Sequence, residues 1–491
     1  MSIEPATMWA DWARAVPALG PSAVHDAPDD PAAAAVRLAR AGLDEEHVVY
    51  EQAGIWYFAA GGAVTLTVDA ARVVARAGGR SWTVPVDGPP LDPVADAVAA
   101  LGQPGAADRH LYGWAAFELA HMLHGDPAEA GAEPLLHLVV PSVEVALRPG
   151  KAEVRAIGDA WTRRVCALLA DAAAPDAEAA ALPALPALPE LPDPSELPEM
   201  PDLLDLLDAE KLIAAGGPAY RQAVARGVAD IHAGLVGKAV LSRAVPLPPG
   251  GVPDFAASYL AGRRANTPAR SFLLNLGGWR AAGFSPETVV EVDPSGRVST
   301  QPLAGTRALG PDPEENERLR RELLTDAKEV HEHAISVRLA CEQMESICRR
   351  GSVIVEEFMT VKERGSVQHL ASRVAGSLEE VVGPWQAFAA LFPAITATGV
   401  PRAAALTALT RHEVEPRGLY GGAVFRVGTD GSLDAALVLR TLLGRGERTW
   451  LRAGAGVMGQ SAPEREYEET CEKLRSVVPY VRFHRLVGDS R

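Results

Sequence analysis

The sequence predicts an α+β fold with mostly antiparallel pairing. Strand-like and helix-like segments follow one another without the βαβ rhythm that a parallel sheet imposes. Apolar residues make up 48% of the 491 positions, ample for a real core. The chain is long enough for one large domain or two to three ordinary ones, and no internal repeat stands out.

Near the N-terminus, residues 62–74 and 136–147 alternate apolar and polar side chains as strands do, with short helical stretches between them. Residues 172–210 break this composition with repeated Leu-Pro steps, which disfavour both helix and central strand. They read as a surface linker or excursion separating an N-terminal part (1–171) from a C-terminal part (211–485). Beyond it, Tyr220, Val224, Val228, Ile231 and Leu235 repeat at helical spacing, and a strand starts at Lys238. Strands follow at 271–276, 289–292, 298–303 and 449–453. A long helix is expected over 326–348, and another over 463–474, with Pro463 in its first turn and Ser461 and Glu464 spaced as a capping box.

Net charge of −16 argues against a nucleic-acid or anionic-membrane surface, because either needs a basic face. Four scattered cysteines (Cys166, Cys341, Cys348, Cys471) form neither a disulfide framework nor a paired zinc motif. The acidic start is unlike a signal peptide, and no stretch approaches a membrane span. A cytoplasmic protein is expected.

Several residues can carry chemistry. Glu466, Glu469 and Lys473 share one stripe of the helix 463–474. Two glutamates one turn apart suit a hard divalent cation, and they equally suit a solvated acidic face. Glu332, on a stripe of the long helix that turns apolar at Ile335 and Leu339, needs a partner, either a metal or an Arg or Lys. Lys238 heads its strand, where a desolvated lysine can act as a base or a solvated one can do nothing. Glu287, in the turn Gly283–Glu287, suits a positioned acid or a simple turn residue. Gly305 and the pair Gly454 and Gly456 read as small-residue turns whose amides can anchor a carboxylate or merely close a bend. Without a third glycine at dinucleotide spacing, Gly454-x-Gly456 is no Rossmann fingerprint. Tyr420 adds an aromatic hydroxyl, and Arg440, closing the strand 435–439, can grip a carboxylate with two parallel bonds. His369 and Thr396 are polar residues among apolar ones.

In order, the segments KAVLSR, GFSPE, PLAGTRALG, KEVHEH, FMTVKERGSVQHL, LFPAITATGVP, EPRGLYGGAV, LRAGAG and EREYEETCEKL resemble the chorismate-utilising enzymes, over roughly residues 215–480. That family includes anthranilate, aminodeoxychorismate, isochorismate and salicylate synthases. NTPARSFLL, FMTVKERGSVQHL and EETCEKL are most similar to bacterial salicylate synthases of the mycobactin type. The resemblance implies two large antiparallel sheets packed together with helices outside. It implies Mg²⁺ held by Glu332, Glu466 and Glu469, with Lys238 activating water for attack at C2 of chorismate and Glu287 protonating the departing C4 hydroxyl. Tyr420, Arg440, Gly454 and Gly456 would grip the substrate, with Thr306, His369, Thr396 and Lys473 lining the pocket.

Ala304 stands where aminodeoxychorismate synthases typically carry a nucleophilic lysine, and Lys238 stands where anthranilate synthases generally lack one. Both imply water as the nucleophile and no amidotransferase subunit. The expected activity is that of a salicylate synthase, serving siderophore or antibiotic biosynthesis as a monomer. The alternatives are an isochorismate synthase and, further off, an anthranilate synthase component or a non-catalytic binding protein.

Overall fold

The computed structural model describes residues 5–102, 109–170, 209–248 and 251–484. Residues 172–208 of the expected linker lie outside this set, and its last two open the helix Ala209–Ala214. Two large antiparallel sheets dominate the described residues. The first has eleven strands and the second twelve. In the first, His47–Gln52 pairs with Arg270–Leu276, and Lys238–Pro246 lies between Arg448–Val457 and the short Gly399–Val400. In the second, His110–Ala115 pairs with Ala423–Gly428, and Leu303–Ala308 lies beside Val367–Ser377. Both sheets therefore draw strands from either side of residues 172–208.

Period-two alternation explains the layering. On Arg270–Leu276, Phe272, Leu274 and Leu276 enter the core between the sheets, where they meet Tyr112, Trp114 and Val424 of the second sheet. Leu273 points the other way, into a cluster with Tyr259 of the helix Phe255–Ala265 and Leu38 of the helix Pro31–Arg40. The second sheet is covered likewise: Val290, Val374 and Phe425 pack with Val337 and Met344 of the helix Ala327–Glu345. The result is two sheets face to face with helices outside, and no helix among the described residues is long and apolar enough to cross a membrane.

Several sequence-based boundaries need correction. Residues 62–74 hold parts of two strands, Thr65–Val68 and Arg72–Ala77, joined by a turn in which the Asp69 carboxylate accepts the N–H groups of Ala71 and Arg72. Residues 136–147 and 298–303 divide in the same way. The elements around Gly305 and Gly454 are strands, not turns: Leu303–Ala308 resumes its ladder after a bulge at Gly305, whose φ is +85°, and Arg448–Val457 runs its ladder straight through Gly454 and Gly456. Finally, Ser461 does not cap the helix Pro463–Leu474: its N-cap is Ala462, and the Ser461 hydroxyl accepts the Met458 N–H.

Candidate active site

At two of the places where the chain passes from one sheet to the other, a polar side chain comes to lie over the same cleft. Glu287 lies between Trp279–Ser285 of the first sheet and Thr288–Val292 of the second. The Ser285 hydroxyl holds that corner by donating to the carbonyls of Glu287 and Leu437. Arg440 lies in the return crossing, between Leu433–Leu437 and Thr441–Arg445, with a left-handed φ of +50°. The cleft and the solvent at its mouth together span about 760 Å³ of space between atoms. Every expected site residue lines it except Lys238 and Glu466.

The acid side of this cleft is Glu287. Its carboxylate accepts the Thr396 hydroxyl at 2.5 Å and the Leu303 N–H at 2.7 Å. Burial outweighs those bonds and pushes its pKa up to about 7, so near neutrality it has a proton to give.

Beside it, on the adjacent crossing, the cleft is cationic. Arg440 is buried, donates to the Arg364 carbonyl at 2.7 Å and to Nε2 of His369, and among the described residues makes no ion pair with a carboxylate. Desolvation lowers its pKa to about 9. By contrast, the neighbouring Arg417 and Arg452 share the one carboxylate of buried Glu413, at 2.6 and 2.7 Å. Among the described residues lining the cleft, Arg440 is thus the guanidinium with no carboxylate against it. His369 is held neutral by burial and by the charges of Arg440 and Lys473. Because Nε2 receives the Arg440 bond, Nδ1 carries the hydrogen, facing the Thr306 hydroxyl at 3.1 Å and the Gly305 carbonyl at 3.3 Å.

The strand Arg448–Val457 supplies the floor. The Gly454 carbonyl accepts from Lys473 Nζ at 2.8 Å, away from the partner strand. The N–H of an antiparallel residue leaves on the same side as its C=O, so the amides of Gly454 and, two residues on, Gly456 face the cleft. A Cβ at Gly456 would fall well inside contact distance of Glu332 Oε1, and one at Gly454 would lie 3.0 Å from the Tyr420 hydroxyl.

Above this floor the helices Ala327–Glu345 and Pro463–Leu474 bring Glu332, Glu466 and Glu469 together, and each carboxylate meets an ammonium. Glu332 lies 2.8 Å from Lys238, Glu466 lies 2.9 Å from Lys328, and Glu469 lies 2.8 Å from Lys473. Lys238 is buried in its strand between two neighbours and turned onto Glu332, not into the cleft as a strand-edge residue would be. Among the described residues its Nζ finds no well-directed hydrogen bond despite that distance. Glu466 faces a second, outer cleft. Burial and the Glu469 charge raise the pKa of Glu466 to about 7, and its Oε2 has no hydrogen-bond partner among the described residues. Burial opposes the charge of Glu469 as well, but Lys473 and Lys328 overcome it and hold that carboxylate ionised.

Oxygen donors of this kind suit a hard cation, and an orphaned buried carboxylate oxygen is a site for one. As the side chains stand, no group of three or more Asp, Glu, His or Cys among the described residues is arranged around a common point. The carboxylates have the right chemistry and are turned onto lysines.

Glu329 escaped the sequence reading. It is buried one turn before Glu332, where it accepts the Thr306 N–H at 3.0 Å and pairs with Arg307 at 3.2 Å, tying the helix to the strand Leu303–Ala308. Its signal was available, since three residues separate it from Glu332 on one helix face. Lys328 was visible as a helix residue but not as the partner of Glu466.

A cleft at neighbouring crossings of two packed sheets, holding a buried acid and a guanidinium without a carboxylate partner among the described residues, has the chemistry to bind a small anion and protonate it. The chain belongs to the chorismate-binding enzyme family, whose model matches residues 51–479. It is 39% identical over 466 residues to a salicylate synthase of Mycolicibacterium paratuberculosis, covering 94% of this chain and 95% of that protein. It is 38% identical over 294 residues to anthranilate synthase component 1 of Haloferax volcanii, 56% of each chain. Among solved structures, the menaquinone-specific isochorismate synthase of Escherichia coli superimposes with a TM-score of 0.64 at 21% identity, covering 96% of this chain and 99% of that one. These likenesses agree with the fold and family expected from the sequence.

Proposed function

We propose that this protein is a Mg²⁺-dependent salicylate synthase that works without an ammonia-delivering partner. The observation that carries the chemistry is the pairing of Glu287, protonated near neutrality, with the uncompensated Arg440 in one cleft. The likeness to a salicylate synthase over nearly the whole chain supports the product. Arg440, the Tyr420 hydroxyl and the amides of Gly454 and Gly456 would bind the two carboxylates of chorismate. Lys238, released from Glu332 and turned to the cleft, would take a proton from the water that attacks C2. Glu287 would give its proton to the C4 hydroxyl, which leaves as water while the ring double bonds shift. A cation held by Glu332, Glu466 and Glu469 would neutralise part of the dianion and fix its ring carboxylate.

The second step moves the C2 hydrogen to the enolpyruvyl methylene, breaks the C3–O bond and releases pyruvate as the ring becomes aromatic. It needs a bound conformation and no further acid or base. Purified protein incubated with chorismate and Mg²⁺ should yield fluorescent salicylate and an equal amount of pyruvate. Isochorismate without pyruvate would limit the reading to an isochorismate synthase. Anthranilate formed with ammonium, or no turnover at all, would overturn it.

A further inference from the structure

We infer that Lys328 is a tethered cation that competes with the divalent metal for the glutamate cluster and so sets its affinity. This rests on the Mg²⁺ reading above. Lys328 follows the N-cap Asp326, whose carboxylate accepts the Lys328 N–H at 2.9 Å, so its Cα is fixed in the first turn of the helix. Its Nζ donates to Glu466 at 2.9 Å and lies 3.5 Å from Glu329. The charges of Glu469 and Glu332 also act on it, so one ammonium serves four carboxylates on two helices.

Without a positive charge among them, these glutamates would repel one another in a buried setting. Lys238 lies against Glu332 and Lys473 against Glu469, with the Glu332 charge reaching Lys473 as well; Lys328 is the ammonium on which all four carboxylates act. It also stands on the wall of the outer cleft with Glu466 and Glu329, beside the orphaned Glu466 Oε2. A cation arriving from the outer cleft meets Lys328 first and must displace it from Glu466. Lys328 thus keeps the ligand set assembled without metal and makes metal binding an exchange of one cation for another.

The test is calorimetric titration of the protein with MgCl₂ alone, repeated with Mn²⁺ by electron paramagnetic resonance, so that no turnover is needed. Lys328→Met should bind either ion about tenfold more tightly, the factor matching loss of one competing charge-assisted contact of about 1.4 kcal/mol. It should also melt at lower temperature in metal-free buffer and gain more from added Mg²⁺ than the wild type does. Lys328→Arg, which keeps the charge, should bind no more tightly than wild type. If Lys328→Met does not fold, Lys328→Gln decides by the same titration. Unchanged or weaker binding in the neutral variant, or tightening in Lys328→Arg as well, would overturn the inference. So would wild-type protein that forms salicylate yet binds neither ion. Metal binding without turnover would overturn only the proposed activity.

Discussion

Glu287 shows how a single position sets both a reaction and a pH dependence. Its folded pKa of about 7 lies above the ordinary 4.5. The folded state therefore holds a proton that the unfolded state has lost between those values, and stability falls as pH rises through that window. The full effect, on the order of 3 kcal/mol, is reached above pH 7 and is absent below pH 4.5. Glu287→Gln can accept the Leu303 N–H and donate to Thr396 without that penalty. It should melt higher than wild type at pH 8 and at nearly the same temperature at pH 4.5, as calorimetry would show. Its turnover should fall by about 10² to 10⁴, the usual worth of a positioned acid. In the wild type, kcat/KM should decline as pH rises through about 7. A pH-independent kcat/KM between about 6 and 8.5 would remove Glu287 from the acid role. The residue type and its turn were legible in the sequence; its burial was not, because Thr396 and Leu303 reach it from distant segments. His369 and Thr396 looked like ordinary core residues for the same reason.

At the scale of elements, the strand Arg448–Val457 and the two acidic helices act as one unit. The helix pattern was readable from its period as far as Leu474: Cys471 and Leu474 are buried while Glu469 and Lys473 pair one turn apart. The strand was misjudged because consecutive small residues look like a turn in one dimension. They are small here because a helix carboxylate lies against the strand, which only the packed structure reveals. Gly456→Ala should therefore preserve the fold, since no positive φ is required at that position, yet displace Glu332 from both Lys238 and the floor. We expect a destabilisation of about 1–3 kcal/mol from overpacking, with a far larger loss in Mg²⁺ binding and turnover. A Gly456→Ala enzyme with wild-type metal titration would show that Glu332 is free to move without consequence.

For the whole molecule, the sequence showed the layers but not their interleaving. A break in composition at 172–210 invites the picture of two separable parts, because composition reports local chain character and not which strands pair. In the structure His47–Gln52 lies against Arg270–Leu276, and His110–Ala115 against Ala423–Gly428, so neither sheet is complete on one side of the break. A fragment beginning at residue 209 would expose the pairing edges of Arg270–Leu276 and Ala423–Gly428, together with the inter-sheet face that Tyr50, Tyr112 and Trp114 now cover. Unpaired edges and uncovered apolar faces drive aggregation. Expressed alone, that fragment should be insoluble or lack a cooperative melt. Co-expressed with residues 1–170, it should elute as one complex with near-UV circular dichroism close to that of the intact protein, because every described strand pair survives the cut. A 209–491 fragment that melts cooperatively on its own would show that the strands of the N-terminal part decorate the fold instead of completing it.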